Sequence, residues 1–132
     1  METTQIVIEQ KSKFSFDETI QKLTEEAENY GWKVPFIHDL QQSLAKSGTN
    51  VKPVKVIEIC KPKYSAKMLE LNDERIISVM MPCRISVYEK GDGKTYVSLI
   101  NIEKISADLP ANIAAVMKEA SNDTLGIVNK VL

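Results

Sequence analysis

The stretch Arg84-Ile85-Ser86-Val87-Tyr88-Glu89-Lys90-Gly91-Asp92-Gly93-Lys94-Thr95-Tyr96-Val97-Ser98-Leu99-Ile100 decides the fold class. On both sides of Gly91-Asp92-Gly93, aliphatic residues alternate with polar or aromatic ones, the period-two pattern of a strand with one buried face. With Gly93 in the left-handed region, the glycine-flanked aspartate closes a short hairpin loop. Lys90 then pairs with Lys94, Val87 faces Val97 and Ile85 faces Leu99, while Tyr88 meets Tyr96, Ser86 meets Ser98 and Arg84 meets Ile100. A slip of one residue would set Val87 against Tyr96 and mix the two faces. One face is therefore aliphatic, and the other carries the tyrosines, the serines and the arginine. A tight hairpin joins antiparallel strands, so the sheet is antiparallel at least here.

Working outward, Gln5 to Gln10 alternates and reads as a strand with Ile6 and Ile8 on one side. Ser15 opens a helix, with Glu18 three residues on as the partner in a capping box. Phe16, Ile20, Leu23, Ala27 and Tyr30 form its apolar stripe, and Gly31 ends it. Trp32 to Ile37 reads as a strand that contains Pro35; proline cannot donate to a ladder, so the strand lies at an edge or carries a bulge. Asp39 caps a short helix with Leu40 and Leu44, ended by Gly48. Val54 to Cys60 has Val54 and Val56 on one face and Ile57 and Ile59 on the other, the mark of an interior strand. Pro62 suits the first turn of a helix running through Leu71, with Tyr64 and Met68 on one side. Ile76 to Met80 is expected to be extended. Asp108 is expected to cap a long C-terminal helix with Pro110 in its first turn; Ile113, Met117 and Ala120 face a core, and Leu125, Val128 and Leu132 extend the apolar pattern, with Gly126 as a candidate break. Strands and helices in this order, around an antiparallel hairpin, give an α+β fold: a mainly antiparallel sheet covered on one face by helices.

The chain has 132 residues, which suits a single domain spanning 1–132, since domains most often run about 100–150 residues. A 43% hydrophobic and 27% charged composition is that of an ordinary globular protein. The formal net charge of −1, from 17 Lys+Arg against 18 Asp+Glu, gives no global basis for binding nucleic acid or an anionic membrane. Locally the balance breaks: between Lys46 and Lys67 stand Lys52, Lys55, Lys61 and Lys63 against the lone acid Glu58. No apolar run approaches the roughly 18–20 residues of a membrane span. Met1 to Gln10 lacks the basic and then apolar regions of a secretory signal, so a cytoplasmic protein with reduced thiols is expected. Two cysteines are too few for a disulfide scaffold.

Motifs that would carry a reaction are missing. There is no phosphate-binding GxxxxGK, no HExxH, no CxxC and no nucleophile elbow, and Gly91-Asp92-Gly93 lacks the third glycine and following helix of a dinucleotide fingerprint. His38 is the only histidine, so a metal site would depend on thiolates and carboxylates. The candidate residues are Glu58, Cys60, Cys83, Arg84 and Tyr88. Cys60 is followed by Lys61-Pro62, and Cys83 sits between Pro82 and Arg84; a nearby cation or helix N-terminus would lower a thiol's pKa and make it nucleophilic. Glu58 shares the parity of Cys60, with Arg84 as a candidate partner. Should the semi-polar hairpin face extend to Glu58 and Cys60, it would form a polar-lined pocket in which Arg84 holds an anionic group, Glu58 a donor, and the tyrosines an apolar wall.

Glu58-Ile59-Cys60-Lys61-Pro62, the run Met81-Pro82-Cys83-Arg84-Ile85-Ser86-Val87-Tyr88-Glu89 and the Gly91-Asp92-Gly93 turn resemble the domain-of-unknown-function family 302. The helix that ends at Tyr30-Gly31-Trp32 is similar to that family's opening, and the likeness covers roughly residues 4–105. The resemblance implies a curved antiparallel sheet packed on a long C-terminal helix, in the group of folds similar to the TATA-binding protein, and a homodimer. It implies no reaction and no cofactor, and a shared fold gives no license for DNA binding. The function expected is binding of a small ligand, with an anionic one as the candidate, or of a protein partner, as a homodimer. The alternatives are thiol-based redox or soft-metal chemistry at Cys60 and Cys83, and a purely structural interaction module.

Overall fold

The structure, a computed structural model, describes residues 2–3 and 6–132. The Gly91 hairpin folds in the expected register: β5 (Cys83–Glu89) and β6 (Thr95–Ile100) pair antiparallel with Ser86 opposite Ser98, Val87 opposite Val97 and Tyr88 opposite Tyr96. Gly93 has φ +76°, a conformation that costs glycine nothing because it has no Cβ. Around this pair the sheet grows outward on both sides. β2 (Val7–Lys11) joins β6, and β1 (Glu2–Thr3) joins β2; β4 (Val54–Cys60) joins β5, and β3 (Lys33–Asp39) joins β4. The order is β1-β2-β6-β5-β4-β3, antiparallel throughout. Of the first expected strand, Gln5 lies outside the described residues, and Ile6 precedes β2 and is exposed.

The aliphatic face of the sheet is the core. Ile57, Ile59, Ile85, Val87, Val97 and Leu99 are buried there under α1 (Phe16–Asn29) and α5 (Ala111–Asn129), which contribute Phe16, Leu23, Ala27, Ala120, Ile127 and Val128. Ser15 caps α1, its hydroxyl accepting from the Glu18 amide at 3.3 Å. At the other end Gly31, with φ +81°, reverses the chain so that the Trp32 amide reaches the Ala27 carbonyl at 2.9 Å and the indole is turned into the core. Val131 is fully buried, and its carbonyl accepts from the Lys13 amide at 2.9 Å, tying the end of the chain to the approach to α1.

Pro35 meets both expectations for it at once: β3 is the edge strand, and its register with β4 shifts between Lys33 and Phe36. β4 is interior, and Asp39 caps α2 (Leu40–Lys46), accepting from the Gln42 amide at 2.9 Å. α3 (Pro62–Leu69) begins at proline as expected.

Two expectations are corrected. Ile76 to Met80 is not extended but belongs to a 3-10 helix, Asn72–Met80. Ile76 and Val79 point to solvent while Ile77 and Met80, three apart, pack inward, a spacing that suits three residues per turn. Asp108 does not cap the last helix; Pro110 occupies that position, and a short α4 (Ile102–Ser106), capped by Asn101, precedes it. These segments enclose a second, smaller core of Met68, Ile77, Ile113 and Met117.

Candidate functional site

At the start of β5, where the sheet meets α3, the 3-10 helix and α5, lies a cavity of about 460 Å³. Its apolar wall includes Met68, Ile77, Met80, Met81, Val116 and Met117. Strand parity decides what else reaches it. Ile59 and Leu99 belong to the helix-covered face, whereas Val56, Arg84, Ser86 and Ser98 belong to the opposite, open face. The cavity thus runs past the end of the sheet and borders both sides.

Of the five sequence candidates, Cys60, Cys83 and Arg84 border this cavity, and Glu58 and Tyr88 do not. The Arg84 side chain is exposed and makes neither an ion pair nor a side-chain hydrogen bond among the described residues; its backbone belongs to the β4–β5 ladder. Glu58 stands opposite it in the β4–β5 register, yet its carboxylate turns the other way: Oε2 lies 2.8 Å from Nε2 of His38 on the edge strand. The expected Glu58–Arg84 pair is therefore replaced by Glu58–His38. Past the bulge at Pro35, β3 and β4 come into register through Phe36↔Glu58 and His38↔Val56, a pairing that no local sequence rule reveals.

Tyr88 sits nearer the hairpin end of β5 and is engaged there. Its hydroxyl donates to Glu9, which also accepts from Lys90 Nζ at 2.5 Å, and its ring stacks on Tyr96 with centroids 6.4 Å apart. Burial and the Glu9 carboxylate push the Tyr88 phenol up to about 12. Lys90 and Tyr88 together hold the Glu9 carboxyl below the usual carboxylate range.

The cysteines are both free and half-buried. Cys60 Sγ lies 3.1 Å from the Ser65 hydroxyl in α3. Cys83 shares the parity of Ile85 and packs against the main core, so burial, and then neighbouring Cys60, push its thiol up rather than down. The cations expected to activate the thiols serve elsewhere. Lys61 Nζ donates to the Tyr30 carbonyl at 2.9 Å and to Asp123 at 3.4 Å, and Arg84 alternates away from Cys83 to the open face.

Asp123 escaped the sequence reading. One carboxylate oxygen accepts from the Trp32 indole at 3.0 Å, the Tyr64 hydroxyl at 3.3 Å and Lys61. Burial, followed by Asp123, raises the Tyr64 phenol. The signal available in the sequence was a lone acid on the inward side of α5, one residue before the buried Thr124. Its charge is answered by Lys61, which leaves a cavity lined by two cations, Lys61 and Arg84, and by no acid among the described residues. No three His, Cys, Asp or Glu side chains among the described residues come together as a metal site. No helix among them is long and apolar enough to cross a membrane.

Comparison with known proteins agrees with this architecture. The crystal structure of an uncharacterized conserved protein DUF302 from Bacillus stearothermophilus superposes with a TM-score of 0.85 at 17% identity, covering 96% of this chain and 98% of that one. At that identity the likeness concerns the fold. No curated protein matches the chain. The family described as domain of unknown function DUF302 matches residues 8–131, nearly the whole sequence, and the chain belongs to that family.

Proposed function

We propose that this domain binds a small, mainly apolar anion in the cavity at the start of β5. The observation that carries the reading is Arg84: among the described residues its guanidinium has no partner, and no acid lines the largely apolar cavity of about 460 Å³ that it borders. Cavities of this size are ordinary for small-molecule sites, where a few polar groups fix the orientation of an otherwise apolar ligand. Arg84 supplies charge and paired donors suited to a carboxylate or sulfonate. The hydroxyls of Ser86 and of its cross-strand partner Ser98 border the same space. Thiol chemistry at Cys60 and Cys83 has less support, because Cys83 is driven toward the neutral thiol. The homodimer implied by the family likeness remains part of the proposal.

Calorimetric titration with benzoate and with its neutral isostere benzamide tests the reading. Benzoate should bind the more tightly. Arg84→Gln should weaken benzoate about tenfold, since a hydrogen bond to a charged group contributes roughly 1.5–3 kcal/mol and this one is partly solvated. Benzamide should be unaffected. Equal binding of benzoate by wild type and Arg84→Gln would reject it.

A further inference from the structure

The cavity is chemically divided along its length. At one end Arg84, Ser86 and Ser98 belong to the open face of the sheet. At the other end Met68, Ile77 and Met117 belong to the second core, between α3, the 3-10 helix and α5. Val79 and Ile100 also border the space, and both are exposed, at 80% and 42%. Apolar side chains left in solvent beside an apolar cavity mark a surface that a ligand covers.

The wall is also unusual in kind. The chain has five methionines, and all four among the described residues line this cavity: Met68, Met80, Met81 and Met117. Methionine is unbranched and polarizable, so a wall made of it reshapes around flexible apolar chains of different lengths instead of matching one rigid outline. A compact aromatic anion would need only the Arg84 end.

From this division we infer that the ligand class is a free single-chain amphiphile with an anionic head, such as a straight-chain carboxylate. Its head lies at Arg84 and the two serines, and its chain lies along the methionine wall under Val79. The inference rests on the anion-binding reading above and adds the tail to it.

A calorimetric series of straight-chain carboxylates, from butanoate to dodecanoate, tests it on the intact chain. Each added methylene should tighten binding about fourfold until the wall is filled, the fold-change expected for burying one such group. Val79→Asp, at a side chain exposed enough that folding is not at stake, should weaken dodecanoate about tenfold by setting a charge against the chain, and leave butanoate unchanged. Arg84→Gln should weaken every member of the series by the same factor. Carboxylate binding that depends on Arg84 but not on chain length would overturn the amphiphile and leave the anion reading standing. Absence of any Arg84-dependent binding, with benzoate included, would remove both. Phosphatidylglycerol vesicles form the last arm: the protein should stay in the supernatant on sedimentation, and Val79-dependent pelleting would overturn the free ligand in favour of a bilayer surface.

Discussion

Gly126 stands within the last turn of α5, where a helical glycine costs about 1 kcal/mol relative to alanine. The sequence offered it as a possible break, but the helix continues through it. Its bare Cα instead makes room for Tyr30: a Cβ built there would lie 3.0 Å from the ring Cζ, and nearer still to the hydroxyl. Tyr30 ends the apolar stripe of α1, and its half-exposed ring spans the gap to α5. The two residues should therefore be coupled. In a Tyr30→Ala background, Gly126→Ala should raise stability by about 1 kcal/mol through helix propensity alone. In the native background the same change should give less or destabilise, because the ring has to swing aside. Urea denaturation of the four proteins measures the coupling, and an interaction energy under roughly 0.3–0.5 kcal/mol would mean that the sites are independent. No reading of the sequence could reach this contact, because the partners lie far apart along the chain.

Among the elements, the most legible were those governed by local rules. The hairpin register followed from alternation and a glycine turn, the start of α1 from a serine cap, and the edge-or-bulge reading of β3 from one proline. The 3-10 helix was misread because Ile76-Ile77 and Val79-Met80 form a short apolar run, which looks the same in a buried strand and in a helix with one inward side. What decides between them is the neighbouring surface of Met68, Ile113 and Met117, assembled from the preceding helix α3 and the distant α5. Ile77 is the residue that anchors the segment, buried to 5% exposure. Ile77→Ala should destabilise the protein by about 2 kcal/mol, the low end for a buried isoleucine, because the adjoining cavity already leaves one side unpacked. Ile76→Ala, at an 84% exposed neighbour, should change stability by less than about 0.5 kcal/mol. Equal effects at the two positions in urea denaturation would mean that the segment is not held by its inward face.

At the scale of the whole molecule, the chain builds one large core under a sheet and a smaller one beside it. The first is closed by antiparallel pairing across β2, β6, β5, β4 and β3, the second by short helices around a space. Regions with fewer buried contacts open at lower free energy. Amide hydrogen exchange should therefore find residues 62–80 and α4 opening well before β4, β5 and β6, and a ligand in the cavity should slow exchange selectively in the former. Uniform protection across both regions would contradict the division. The candidate site was legible to a similar degree. Cys60, Cys83 and Arg84 stand on neighbouring strands and do meet at one cavity, whereas Glu58 and Tyr88 were diverted by partners, His38 and Glu9, on strands whose positions depend on the complete sheet order.

Trp32 is the sole tryptophan of the chain, is 3% exposed, lies 5.7 Å from the Tyr64 ring, and borders the cavity. The protein thus carries its own optical probe at the place where occupancy matters. Its emission comes from one indole in one dry setting, anchored to a carboxylate and able to receive excitation from an adjacent phenol. Filling the cavity changes the surroundings of that indole while unfolding floods them with water, so a single unlabelled sample distinguishes an occupied pocket from a lost fold by the direction in which its spectrum moves.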